Sequence, residues 1–142
     1  MATRTGSAEW RGDLKGGAGT LMVGEGVFEG NYSFTSRFEE GEGTNPEELI
    51  AGAQASCFAM FLSNILAQDG HQPDSVRARA AVHLRNVDGQ QTIARIEIET
   101  EGSVPGIDEN AFSSYAEKAK AGCPVSRALA SVPEIEVTAT LV

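Results

Sequence analysis

Two cysteines, Cys57 and Cys123, are the residues of this chain best suited to chemistry. They stand 66 positions apart, a spacing that fits neither a Cys-x-x-Cys redox pair nor a zinc knuckle. His71 and His83 complete no metal-ligand pattern with them and form no Cys–His dyad. His71 reads as a loop residue and His83 as the solvent side of a strand. Cys57 lies in Ala55-Ser56-Cys57-Phe58-Ala59-Met60, where a cysteine ordinarily serves as a small buried hydrophobe with an inert thiol. Cys123 precedes Pro124. At the N-cap of a short helix, its sulfur faces free N–H groups and the positive end of the helix dipole, which lowers a thiol pKa. The other reading is an ordinary helix start. On residue physics alone, Cys123 is the more acidic of the two.

A reactive thiolate needs a cation. Arg77, Arg79 and Arg95 fall on strand faces, and Lys118 and Lys120 on a helix surface. Arg37 is therefore the cation expected to point inward, although arginines are mostly surface residues. A guanidinium cannot lose its proton, so beside a cysteine it favours the thiolate. Glu47 or Glu48 is placed to hold Arg37 through a bidentate pair. Both also suit the first turn of a helix simply because negative charge is favoured there.

The elements that must position these groups are legible in outline. The chain has 142 residues, 41% hydrophobic, which suits one domain spanning 1–142. Twenty acidic against 11 basic residues give a net charge of -9. That balance argues against nucleic acid or an anionic membrane as partner, since both would repel it. The N-terminal MATRTGSAEW has no apolar run, so a cytoplasmic chain with reduced thiols is expected.

From Leu49 to Gln68 no residue is charged. The stretch is long enough to span a bilayer, but Gln54, Ser56, Ser63, Asn64 and Gln68 and its many alanines mark it as a core helix. Thr44 or Asn45 caps it, Pro46 takes its first position, and Asp69-Gly70 ends it. Alternation predicts strands over Val76 to Leu84, Ala94 to Glu99 and Glu134 to Leu141, with an Asp88-Gly89 hairpin turn. Ala94, Ile96 and Ile98 are expected on one face. Short strands separated by glycines are expected at Ala8 to Trp10, Thr20 to Val23, Val27-Phe28 and Tyr32 to Phe34. A helix from Asp108 as N-cap to Gly122 as terminator precedes the short one opened by Cys123-Pro124. Grouped strands and helices imply an α+β fold with antiparallel sheets around a long central apolar helix. Such a helix, hydrophobic on most of its circumference, needs cover on several sides, which predicts a homodimer with the two copies of the helix near its centre.

Four segments together resemble the OsmC/Ohr family of organic hydroperoxide reductases. They are Arg37-Phe38-Glu39, Gly43 to Leu49 (GTNPEEL), Ala55-Ser56-Cys57-Phe58 and Ala119 to Ser126 (AKAGCPVS). Ser36-Arg37-Phe38 and Val104 to Asp108 favour the OsmC branch. The resemblance implies an intertwined homodimer with active sites at the subunit interface, and a thiol peroxidase acting on organic hydroperoxides and hydrogen peroxide. It further implies Cys57 as peroxidatic nucleophile, Cys123 as resolving cysteine, Arg37 as stabiliser of thiolate and peroxide, and Glu47 as the group orienting Arg37. An external dithiol of the dihydrolipoamide type, free or on a lipoylated protein, would be the reductant, with no metal or flavin. Phe38, Phe58 and Phe61 could accept an organic tail, although plain core suits them better. Glu47 and Cys57 are ten positions apart, about 15 Å of rise on one helix. Either the helix breaks near Gly52, or the acid serves the thiol of the other subunit. Rival readings are a general thiol–disulfide oxidoreductase and a non-catalytic stress or ligand-binding protein.

Overall fold

Short strands separated by glycine turns build the first of two compact units, Met1–Leu49; Ile50–Val142 form the second. The computed structural model describes all of Met1–Val142. In the first unit β1 (Gly6–Arg11), β2 (Ala18–Val23) and β3 (Phe28–Tyr32) make an antiparallel sheet in that order. Gly19 pairs with Trp10 on one side and Tyr32 on the other. The two rings close over it, with centroids 5.3 Å apart, in space that a β-carbon would occupy.

The strand expected from Tyr32 to Phe34 stops at Tyr32, and Phe34 opens a short helix, α1 (Phe34–Phe38). Ser33 and Ser36 form a reciprocal capping box there. Two unmet helix donors are thereby satisfied, which outweighs the β preference of the aromatics. Arg37 thus stands on a helix, not on the tail of a strand.

The helix α2 (Pro46–Gln68) runs without a break through Gly52. Asn45 caps it by accepting the Glu48 N–H. At its far end Gly70, at φ 84°, completes a Schellman motif: the N–H of His71 donates to Leu66 O and that of Gly70 to Ala67 O.

In the second unit β4 (Ser75–Val87) and β5 (Gln90–Ser103) form a long antiparallel hairpin. Asp88 and Gly89 both have positive φ, as a type I′ turn requires. A bulge at His83/Leu84 leaves Ala94 unpaired, and this phase change puts Ile93 rather than Ala94 against the core. The helix α3 (Glu109–Gly122) is capped by Asp108, whose Oδ1 accepts the Ala111 N–H; α4 (Pro124–Ala128) and β6 (Glu134–Leu141) follow. The strand β6 pairs with β5 in parallel, contrary to the expectation of antiparallel sheets. The α3 and α4 segment intervenes between them, and a crossover of that length returns the chain to the end where β5 began.

The core of this unit joins Phe58, Leu62 and Leu66 of α2 to Ile96 and Ile98 of β5 and to Phe112, Ala116 and Ala119 of α3. Gly122 contributes by its missing side chain: a β-carbon there would lie 2.9 Å from the Phe61 ring. On α2, Gln54, Phe58, Leu62 and Leu66 are fully buried at steps of four, while Gly52, Ala53, Ser56 and Met60 are exposed. One stripe is fully buried within the chain, with half-buried Phe61 and Ile65 packed beside it against the core. The fold is α+β.

Candidate active site

The local sequence delivers two sulfurs to one point. Cys57 is carried on the half-covered shoulder of α2, one residue before the fully buried Phe58. Cys123 closes α3, donating its N–H to Ala119 O, and caps α4 ahead of Pro124. Proline there costs no hydrogen bond, because the first N–H of a helix has no internal partner. Both cysteines are free thiols, their sulfurs 2.8 Å apart. A disulfide, at about 2.05 Å, requires less than an ångström of approach.

The two thiols share a hydrogen bond, and either sulfur can be its donor. Their surroundings set how acidic each is. Burial raises the Cys57 thiol, and so does its hydrogen bond to Cys123; the Val125 amide and the charge of Arg127 only partly offset this. Burial also raises Cys123, but its hydrogen bond with Cys57, the amides of Ser126 and Val125 and the Ser126 side chain pull it below the ordinary thiol value. Of the two, Cys123 is the more acidic thiol. The direction matches that expected of an N-cap cysteine, but its largest single cause is the contact with Cys57 and not the helix end.

A buried polar cluster backs this pair. Gln54, one turn before Cys57 on α2, is fully buried. Its Nε2 donates to Ser126 Oγ at 2.9 Å and reaches Cys123 Sγ at 3.8 Å, while its Oε1 has no partner. Sequence reasoning gives Gln54, Ser126 and Arg127 no role. The one available signal is Gln54 itself, a polar side chain in the uncharged stretch from Leu49 to Gln68, on the same stripe as Phe58 and Leu62.

The first unit holds the other expected pair. Arg37 on α1 donates to Glu47 at the start of α2: Nη2 to Oε1 at 2.8 Å, and Nε to Oε1 at 3.1 Å and to Oε2 at 3.3 Å. The Glu47 side chain is 9% exposed and that of Arg37 36%. Glu48 instead accepts from Thr44 Oγ1, so Glu47 is the acid that fixes the guanidinium. The Arg37 guanidinium also lies 5.3 Å from the centre of the Phe38 ring. Ser36 Oγ donates to Thr44 O, and Asn45 Nδ2 to Ser36 O, tying α1 to the start of α2. The structure thus brings together Cys57 with Cys123, and Arg37 with Glu47, each pair in its own unit. Phe58 is plain core.

Residues 39–138 match the sequence profile of the OsmC family, described as OsmC-like protein. The chain is 46% identical over 127 residues to Peroxiredoxin OsmC of Escherichia coli (strain K12), covering 89% of each chain. It is 34% identical over 102 residues to an organic hydroperoxide resistance protein of Xanthomonas axonopodis pv. citri (strain 306), covering 71% of this chain and 68% of that one. In three dimensions it superposes on an organic hydroperoxide resistance protein OsmC from Legionella pneumophila with a TM-score of 0.72 at 20% identity, over 99% and 98% of the two chains.

Proposed function

The chain belongs to the family of OsmC-like proteins, and on that premise we propose that it is a cysteine-based peroxidase that reduces organic hydroperoxides and hydrogen peroxide. One observation carries the reading: two free thiols, 66 positions apart in sequence, have their sulfurs in contact. In the proposed cycle the Cys57 thiolate attacks the distal oxygen of the hydroperoxide. The O–O bond breaks, and an alcohol or water leaves. Cys123 then displaces the hydroxyl from the Cys57 sulfenic acid, giving a disulfide and water. An external dithiol of the dihydrolipoamide type restores both thiols by exchange in the cytoplasm. No metal or flavin takes part.

The chain's own surroundings hold Cys57 protonated, with Arg127 the cation favouring its thiolate. This is the deficit that Arg37, fixed by Glu47, would make good. Because α2 is unbroken at Gly52, we assign that help to a second copy: one OsmC-like domain, 1–142, completes its site as an intertwined homodimer. The exposed stripe of Gly52, Ala53, Ser56 and Met60 on α2 is the face offered to the partner helix.

The test is titration with one equivalent of cumene hydroperoxide and counting of free thiols. Wild type should lose both thiols, and Cys123→Ser should yield a sulfenic acid trapped on Cys57. Survival of both thiols in the wild type would overturn the reading.

A further inference from the structure

A fully buried glutamine is an expensive occupant of an apolar helix. Gln54 has no exposed surface, and its carbonyl oxygen is sealed in without a donor. An apolar side chain of similar size would remove that unmet oxygen but strip the buried Ser126 hydroxyl of its donor, so burial of the amide brings no clear gain in stability and needs another reason. Its contacts give one. Gln54 Nε2 donates to Ser126 Oγ at 2.9 Å and lies 3.8 Å from Cys123 Sγ, reaching across from α2 to the N-terminal turn of α4. The Ser126 side chain is in turn one of the groups holding the Cys123 thiol below its ordinary value.

We propose that Gln54 is a positioning residue for the disulfide-forming step, holding Ser126 and Cys123 so that the Cys123 sulfur is presented as an attacking thiolate. In that step the Cys123 sulfur attacks the sulfur of the Cys57 sulfenic acid. The S–S bond forms, the S–O bond breaks with its electron pair on oxygen, and the departing hydroxide takes up the proton released by Cys123, leaving as water. The oxidant is the hydroperoxide already consumed at Cys57, and to that extent the inference rests on the peroxidase reading. The ionisable and charged groups acting on the sulfur pair are Cys57 from α2, Cys123 between α3 and α4, and Arg127 from α4, whose charge acts on Cys57.

Two measurements separate this role from packing. In a Cys57→Ser background, where no peroxide chemistry is needed, the pH dependence of Cys123 alkylation by iodoacetamide reports its acidity. Gln54→Met should move the midpoint up by about one pH unit, and Ser126→Ala in the same direction. In the two-cysteine protein, disulfide formation after one equivalent of cumene hydroperoxide should slow roughly tenfold in Gln54→Met at neutral pH, the equivalent of that unit. Sulfenic acid trapped by dimedone on Cys57 should rise correspondingly. An unmoved midpoint with an unchanged disulfide rate, in a variant that melts as wild type does, would overturn the proposal. If Gln54→Met fails to fold, Ser126→Ala removes the same link from its other end, and an unmoved midpoint and rate there overturn the proposal equally. A wild type that keeps both thiols under hydroperoxide, while the alkylation midpoint still follows Gln54, would overturn the peroxidase reading and leave the role of Gln54 in Cys123 acidity standing.

Discussion

Arg37 presents two nitrogens of one planar fork to Glu47, and this geometry is what a lysine cannot reproduce. Arg37→Lys keeps the charge but loses the fixed direction of the guanidinium. If the pair serves the reacting sulfur, kcat/KM for cumene hydroperoxide should fall by about one to two orders of magnitude, the size of a charge-assisted hydrogen bond or two. Glu47→Gln, which keeps an acceptor for the same fork, should cost less. Steady-state rates equal to wild type for Arg37→Lys would remove the pair from the mechanism. At this scale the sequence is readable where a residue's surroundings are its own neighbours. Val125 and Ser126, close to Cys123 in the chain, supply only part of its acidity; the largest single contribution comes from the hydrogen bond with Cys57, 66 positions away, which the sequence does not show. Gln54 is not readable as part of the site, because its partners Cys123 and Ser126 lie 69 and 72 positions away and no periodicity reports such a contact.

Elements show the same division between local signals and distant ones. Asn45, Asp69-Gly70, Asp88-Gly89 and Asp108 each act within a turn of their own position, and all four mark the boundary expected of them. The α1 helix escapes the sequence pattern because a serine pair rather than Ser–Glu forms its capping box. The parallel seating of β6 escapes it because alternation encodes a face and not a direction. Gly122 is expected from sequence to stop α3 through its backbone freedom. Its φ is not positive, and its role is instead to admit the Phe61 ring. Gly122→Ala should therefore destabilise the protein by about 1–3 kcal/mol through overpacking, seen as a lower Tm in thermal unfolding followed by circular dichroism. An unchanged Tm would mean that the ring moves aside without cost.

For the whole molecule, the decisive feature is the division of α2 into a covered stripe and a bare one. Hydropathy along the helix announces that most of its surface is apolar, and the fold supplies cover for one face alone. Met60, 77% exposed in a single chain, lies on the uncovered side. Met60→Glu should convert the proposed dimer into monomers in light scattering at micromolar concentration, since two like charges would face each other without water. Peroxide turnover should fall with it, because Arg37 would no longer reach the thiol of a second copy. A monomeric wild type, or a Met60→Glu protein that remains dimeric, would refute this arrangement.

The parallel place of β6 also bears on synthesis. Its neighbour β5 is the central strand of its sheet, and the hairpin with β4 forms from contacts close in sequence. The other edge of β5 stays open until the crossover helices and then β6 have left the ribosome. During that interval the nascent hairpin carries an unpaired edge and an Ile96–Ile98 face that α3 has yet to cover, the kind of surface on which unfinished chains stick to one another.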